Sequence, residues 1–528
     1  VKIHVADTGE TLVAIARKYN LPMQELYSSN PHIAGPDLIL TGQIVKLPDS
    51  SLRPDLPITV PVCPPLIPPK TMDQWVPLTP LTDMEKHEYD VLIIGTGAGG
   101  GAALWRFCDR LRKSGKRIGV IERGNLLLPT HAYNVPTLGD WGHMLEYWLN
   151  PNISNLIGNS LPQFSGAVEV FALGGRTLFW SGTTPRFPAS EFVHWPISYK
   201  ELEPYYNIAE QALKVSRSMT AFKQYYLNRF WEQGFPEAEA SPQAIARGTT
   251  DVYFSSIQLI GEALHTRPFD LAVNARAVRI ITERGKVGGI EVRGPQQESV
   301  FLRAKNVVVA ASTFETPRLL LYSGIPGKAI GHYLINHTFF RVHGTTTHPD
   351  GRLPGDGFML IPQTEYRPYL FQILPVAETE VEFDVFGTVE SRYENFLYLD
   401  RNRRDAYGVP EIQVRFSYSA EDMRLIDETR KAIDKVASIM QIELTPAGGK
   451  PAVCLVPPGA DYHESGTCRM GEDPNTSVVD RNGQVHGISG LYVADNSVLP
   501  SIGATNPTLT TAALAIRTAD HIIRMLDG

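Results

Sequence analysis

The chain has 528 residues, of which 43% are hydrophobic and 20% charged, with a formal net charge of −7 at pH 7. That length outgrows a single core, so two or more domains are expected. No run of eighteen or more apolar residues is present to span a bilayer, and the acidic balance offers nucleic acid no extended basic surface. Four cysteines (Cys63, Cys108, Cys454 and Cys468), none in a CxxC spacing, cannot build a disulfide framework and leave the redox compartment open.

Residues 1–48 read as a small βααβ unit: a strand VKIHV, a helix over 11–19, a second near 23–29 and a closing strand over 44–47. Leu12, Ile15, Ala16 and Tyr19 recur at helical spacing, and Thr11 can cap the helix by offering an oxygen to its unpaired amides. The phrases GETLVAIARKYN, LYSSNPHI and LTGQIVKLP resemble a LysM domain over its whole length. That resemblance implies binding of glycans built on N-acetylglucosamine, in peptidoglycan or chitin, and with it a cell-wall, extracellular or spore-surface setting. Residue 1 is Val and no signal-peptide pattern is visible at this end, so a cytoplasmic setting stays open as well. Residues 49–84 carry Pro54, Pro57, Pro61, Pro64, Pro65, Pro68 and Pro69, a density that predicts an extended, semi-rigid linker.

From His87 onward strands and helices alternate. An apolar strand over 91–94 runs through Gly95, Gly97 and Gly100 into a helix. Gly95 allows the tight turn, Gly97 lets backbone approach a pyrophosphate and Gly100 permits close helix packing, while the helix N-terminus offers free N–H groups to phosphate. A second strand, RIGVI, ends at Glu122, about twenty residues beyond the glycines, where a carboxylate can accept hydrogen bonds from an adenosine ribose. A dinucleotide is therefore expected, with NAD and FAD equally served by this unit. Further on, GGRTLFWSGTTPR (174–186) sets Gly174, Gly175 and Trp180 in a loop that can lie against a flat ring system.

Three segments together resemble the glucose–methanol–choline (GMC) oxidoreductases, which bind FAD and oxidise alcohols. They are the glycine-turn unit with GGRTLFWSGTTPR; STFETPRLLLYSGIP (312–326), with Pro326 where glycine is usual; and YHESGTCRMG (462–471) followed by LYVADNSVLPSIGATNPTLTTAALAI. Within the family they look most like pyranose oxidase and related bacterial sugar or glycoside oxidoreductases, and NFLYLDRNRRDAYGVPEIQVRF resembles the corresponding part of bacterial sugar-oxidising members.

The resemblance implies an α/β fold with a Rossmann-like FAD-binding domain (85–195, 250–335 and 450–528). Into it is inserted an α+β substrate domain (196–249 and 336–449) with an antiparallel sheet, to which the alternating stretches 380–388 and 411–417 are assigned. The family's base maps onto His463 and its partner onto Asn506. A neutral histidine suits proton removal from an alcohol, an asparagine N–H can steady charge on the substrate oxygen, and flavin N5 would receive the hydride. FAD is expected to be noncovalent, because Phe179 stands where pyranose oxidase has its attachment histidine. Asp495 and Asn496 are expected cofactor contacts, the former near the ribityl or pyrophosphate portion, and Ala277 an adenine backbone contact. Pro507 and Thr508 are expected to open a helix over 508–517 whose positive end faces the flavin N1–C2=O edge, an effect of about 0.3–2 kcal/mol. Glu464 is read as an orienting or solvated neighbour outside the catalytic set and Cys468 as buried packing, while neither His131 nor His337 has metal-ligand spacing, so no metal is expected. The expected reaction is oxidation of a sugar or glycoside secondary hydroxyl to a ketone, with oxygen or a quinone-type acceptor taking the electrons. The alternatives are a non-sugar alcohol substrate, an NAD-linked dehydrogenase, and a wall- or spore-coat-associated structural protein with a residual flavin domain.

Overall fold

In the computed structural model, which describes residues 2–37, 39–49, 76–151, 153–156, 163–347 and 358–527, the chain divides into two units, Val1–Met72 and Asp73–Gly528. The prolines at 54–69 and Cys63 lie outside the described residues.

In the first unit β1 (Lys2–Val5) pairs antiparallel with β2 (Ile44–Leu47), and α1 (Leu12–Lys18) and α2 (Met23–Ser28) lie between them in sequence. Thr11 caps α1 as expected, its Oγ1 accepting from the Ala14 amide at 3.2 Å. Leu12, Ile15, Leu26, Ile33, Val45 and Leu47 form the core. Tyr19 does not join them. The helix ends at Lys18, which takes position 19 off the buried stripe; Tyr19 is 41% exposed and its hydroxyl meets His4 Nδ1 at 3.1 Å.

The second unit begins earlier than the linker boundary expected at 84: Val76, Leu81 and Met84 are buried, and the Thr79 amide donates to the Leu271 carbonyl at 2.7 Å. Its central sheet is parallel. The strands are β3 (Val91–Ile94), β4 (Ile118–Ile121), β5 (Asp270–Ala272), β6 (Val307–Val309) and β10 (Leu491–Val493), in the order β5-β4-β3-β6-β10. Every residue of β3, β4 and β6 except glycine is apolar, as a strand covered on both faces requires. α3 (Ala98–Arg110) follows β3, α6 (Ser312–Tyr322) follows β6, and α8 (Thr508–Asp527) packs against α3. The last helix therefore runs ten residues beyond the expected end at 517.

Beside this lies an antiparallel sheet of seven strands. Its middle consists of β7 (Thr338–Thr346), β9 (Glu380–Gly387) and β8 (Tyr369–Pro375), in that order. Strand alternation divides its two faces. Phe340, Val342, Phe371, Ile373, Phe383 and Val385 pack towards α7 (Ala420–Met440), while the intervening residues face the other way. The register aligns Phe339 with Phe386 and Leu370, then Arg341 with Asp384 and Gln372.

Two expectations about this region change. The strand Pro410–Arg415 does not join the sheet; it pairs with Phe396–Arg404 in a two-stranded ribbon, whose Leu397, Ile412 and Val414 pack on Phe164, Phe314 and Leu334. Alternation specifies one buried face, and several partners can cover it. α4 (Tyr199–Ala212), placed by sequence in the substrate domain, packs instead on α8, where the Tyr206 hydroxyl meets Thr510 Oγ1 at 2.8 Å. α5 (Ala221–Glu232) does pack with α7, through Leu227 and Phe230.

Candidate active site

A cavity of about 920 Å³ runs from the glycine turn after β3 to the inner face of the antiparallel sheet. That volume is near the top of the range of roughly 300–1,000 Å³ for small-molecule sites. At the first end the glycines have distinct roles. Gly95 has φ +94°, and a Cβ there would lie 2.3 Å from the Ala310 carbonyl oxygen; a Cβ on Gly100 would lie 2.1 Å from the Gly95 carbonyl oxygen. Gly97 caps α3 and has open space where its Cβ would project, so its backbone is bare towards the cavity. Gly99, which the sequence reading passed over, packs hardest of all: its Cβ would fall 1.8 Å from the Ala494 carbonyl oxygen. Glu122 directly follows β4, its carboxylate accepting from the Thr96 amide (3.1 Å), Thr96 Oγ1 (2.6 Å) and the Gly124 amide (2.8 Å). Burial raises its pKa and these donors oppose the rise.

The three family-like segments converge on one another. Gly174 and Gly175 both have positive φ and open the short turn Gly175–Leu178; the Gly174 amide donates to Thr96 Oγ1 at 3.0 Å. The same turn carries Arg176, whose Nη1 donates to the Tyr462 carbonyl (3.0 Å) and to Glu464 Oε2 (2.8 Å). Glu464 is 1% exposed and so is not solvated; its carbonyl accepts from Thr313 Oγ1 at 2.6 Å, tying the 312–326 segment to the 462–471 segment. Trp180 lines the cavity with its indole N–H donating to the Phe254 carbonyl, and buried Phe179 stacks on Trp148 at 6.0 Å.

Asp495 also lines the cavity, yet its carboxylate is committed to protein, accepting from the Ser312 and Ser497 amides at 3.0 and 2.9 Å and from the Thr316 hydroxyl at 2.5 Å. Asn496, Ala277 and Thr508 line it too. Pro507 does not: it stands one residue before α8, its carbonyl accepting from the Thr511 amide at 2.9 Å, and Thr508 and Thr511 reach the cavity in its place. Cys468 is buried with its thiol pKa pushed well up, which makes it inert packing, and His131 spends both ring nitrogens on the Trp180 carbonyl and the Tyr133 amide.

His463 and Asn506 meet at the far end, where Asn506 Nδ2 lies 3.1 Å from His463 Nε2. The direction of this bond is set from behind. Gln372, 3% exposed in the apolar strand β8, donates from Nε2 to Asn506 Oδ1 at 2.7 Å, which leaves the Asn506 amide N–H to donate and His463 Nε2 to accept. The neutral ring then carries its proton on Nδ1, and Nδ1 of His337 lies 3.1 Å away. Sequence spacing gave no sign of His337. An antiparallel bridge between Ile335 and Ser465 brings it in, since the same register sets 337 opposite 463. Asp461 holds the turn, accepting from the His337 amide at 2.8 Å, with its carboxylate 3.5 Å from His337 Nδ1. Ligand atoms of His337, Asp461 and His463 all lie within 4.8 Å of one another, a grouping that the ring-to-ring hydrogen bond accounts for. Burial pushes the His337 pKa down to about 3, lowers that of His463 well below its usual value and raises Asp461 to about 7.

Around His463 the inner sheet face is graded. Phe386 lies 5.1 Å from the His463 ring and stacks on Phe339; one row further out Arg341 pairs with Asp384 at 3.3 Å, and Glu382 follows. Burial raises both carboxyls, with Asp384 adding to the rise at Glu382 and Arg341 opposing it at Asp384.

A parallel dinucleotide sheet, an inserted antiparallel wall and a buried His–Asn pair between them define the architecture of a nucleotide-dependent oxidoreductase. Residues 164–339 and 391–515 match the GMC oxidoreductase family, and residues 4–48 match the LysM domain. The chain belongs to the GMC oxidoreductases, with a LysM domain at its N-terminal end. Among its relatives, a C-glycoside 3-oxidase of Arthrobacter globiformis is 30% identical over 305 residues, a match covering 52% of this chain and 57% of that protein. A pyranose 2-oxidase of Tricholoma matsutake is 24% identical over 452 residues, covering 73% of this chain and 77% of that one. The solved pyridoxine 4-oxidase from Mesorbium loti shares the fold, with a TM-score of 0.61 at 16% identity over 82% of this chain and 99% of that one.

Proposed function

We propose that this protein is an FAD-dependent oxidoreductase that converts a secondary hydroxyl of a sugar or glycoside to a ketone. The observation that carries the reading is the hydrogen bond between His463 Nε2 and Asn506, backed by Gln372, at the end of the cavity opposite the dinucleotide cradle. The residues present suit FAD: bare backbone at Gly97 and Gly175, the buried carboxylate of Glu122 and the first turn of α8 all border one cavity. Phe179 cannot bond a flavin methyl group, so the cofactor is held noncovalently.

When bound, the flavin supplies the acceptor for the hydrogen and electron pair leaving the substrate carbon. An alcohol hydroxyl entering beside Asn506 gives its proton to His463 Nε2, and the Asn506 amide N–H turns to the oxygen where negative charge gathers. Burial keeps His463 neutral and ready to accept at ordinary pH. The polar row of Arg341, Asp384 and Glu382 provides partners for the remaining hydroxyls of a polyol, in keeping with the sugar substrates named for the two relatives. Oxygen or a quinone-type compound is the terminal acceptor, and the LysM unit binds peptidoglycan or chitin-like glycan, holding the enzyme near wall-derived sugars.

The test is anaerobic: the bound-flavin absorbance should bleach on adding one or more members of a sugar and glycoside panel and return with oxygen or benzoquinone. His463→Ala should retain flavin and bleach at least 100-fold more slowly, given that general-base catalysis contributes about 10²–10⁴-fold. No bound flavin, or no bleaching by any sugar, would overturn the reading.

A further inference from the structure

We propose that His337 is a positioning residue for His463: it accepts the Nδ1 hydrogen, which keeps Nε2 free as the base, and it connects the base to the Asp461 carboxylate. The proposal rests on His463 as the base and adds what sets and supports it.

The geometry leaves little freedom. His463 has two ring nitrogens and two polar neighbours, Asn506 at Nε2 and His337 at Nδ1, both at 3.1 Å. Because Gln372 orients Asn506 as a donor, the proton of neutral His463 belongs on Nδ1, where the acceptor among the described residues is the lone pair on His337 Nδ1. His337 must then carry its own proton on Nε2. Three hydrogen bonds thus run in one direction through four side chains, Gln372 to Asn506 to His463 to His337. Reversing any one would set two donors or two acceptors face to face and leave a buried polar group unpaired.

Proton removal from the substrate makes His463 an imidazolium, and this is where the second histidine acts. One proton arrives at His463 Nε2; the Nδ1 proton stays shared with His337 or crosses to it, and none leaves the pair. Positive charge so spread lies against the Asp461 carboxylate, 3.5 Å from His337 Nδ1. Among the described residues no other carboxylate is in direct contact with the pair. Phe386 of β9 covers both rings, at 5.4 Å from His337 and 5.1 Å from His463; Glu464 is engaged with Arg176; Arg176 acts against charge on His463; and Tyr418 and Tyr462 face Asp461 as neutral phenols. Burial holds the Asp461 carboxyl at about 7, with Glu464 adding to the rise, so the supporting charge is present above that pH and lost below it. This pairing of an acid with a histidine that steadies an imidazolium follows the logic of an orienting carboxylate in a catalytic triad.

The experiment uses the full-length flavoprotein and follows anaerobic flavin reduction by a sugar that bleaches the wild type, across pH 5.5–8.5 (roughly 1.5 units either side of the Asp461 value). His337→Phe keeps the ring but removes the acceptor, and should slow reduction about 10–100-fold, the range for losing an outer partner of a functional histidine, with flavin content intact. His337→Gln offers a carbonyl oxygen to Nδ1–H and should recover part of the rate. Wild-type rates should rise through pH 7; Asp461→Asn, whose amide oxygen can still accept from the His337 N–H, should flatten that rise. Should His337→Phe not fold, the Gln variant and the Asp461→Asn profile decide. Wild-type rate and profile in a flavin-bearing His337→Phe, or an unchanged inflection in Asp461→Asn, would overturn the proposal. His463→Ala run alongside separates the two readings: if it alone is impaired, only the role of His337 fails, and if it reduces at the wild-type rate the base assignment fails too.

Discussion

Gln372→Leu offers a test of the direction of the hydrogen-bond chain without touching a reacting group. In the wild type Gln372 Nε2 donates to Asn506 Oδ1 at 2.7 Å, and Asn506 Nδ2 faces His463 Nε2. Leucine removes the donor but suits the site, which sits between Leu370 and Leu374 on one strand face. Asn506 Oδ1 is then buried without a partner, at a cost of about 1–3 kcal/mol. Inverting the Asn506 amide leaves its N–H unpaired against leucine instead, while Oδ1 accepts from His463 once the ring proton moves to Nε2, so position 372 no longer favours either orientation. In the inverted state the base is blocked. At 1.36 kcal/mol per factor of ten, the lost bias of about 1–3 kcal/mol corresponds to a ratio of roughly 5 to 150 between the two states; without it they become comparable and the productive population falls about twofold. Stopped-flow flavin reduction under anaerobic conditions reads this as a lower limiting rate. Gln372→Glu sharpens the test: an ionised carboxylate opposite Oδ1 forces the inversion, so it should be slower than the Leu variant and improve as pH falls and the carboxyl regains a donor. If both flavin-loaded variants reduce at the wild-type rate, or if Glu is no slower than Leu at high pH, the orientation argument is wrong.

The glycine turn predicts two different failures for the same chemical change. Gly97→Ala places a methyl in open cavity space, so the protein should fold and melt normally while losing flavin, read from the ratio of flavin to protein absorbance; Gly99→Ala drives Cβ to 1.8 Å from the Ala494 carbonyl oxygen and should lower soluble yield and melting temperature as well. In the LysM unit, the Glu10 carboxyl is held at about 2 by the Asp7 amide first and by His4 second, against an ordinary value of 4.5. Its folded pKa is depressed, so its stabilising contribution is complete above 4.5 and fades as pH falls towards 2; amide hydrogen exchange in residues 2–49 should accelerate over that window and do so less in Glu10→Gln.

Residues whose sequence neighbours dictate their setting were the legible ones. Gly95, Gly97, Gly100 and Glu122 each answer a backbone requirement within one strand–turn–helix unit, and His463 and Asn506 stand in segments whose surrounding residues are as specific as they are. His337 and Gln372 could not be found that way. They lie 126 and 134 positions from the partners they touch, and what joins them is sheet register, Ile335 across from Ser465 and β8 beside β9. A weak signal existed for Gln372, a lone amide within the apolar run YLFQILP, where a buried polar group must have a partner. His337 gave none, standing as a single histidine before a strand. The misplaced ribbon at 410–415 and exposed Tyr19 follow from the same limit, since periodicity reports that a face is covered and not by what. The division has a mechanistic side. His463 and Asn506 sit on loops of the dinucleotide half, whereas Gln372 and His337, which hydrogen-bond to them, come from the antiparallel sheet and the residue leading into it. Substitutions in that sheet can therefore retune the surroundings of His463 and reshape the polar wall of Arg341, Asp384 and Glu382 while every motif of the family remains intact.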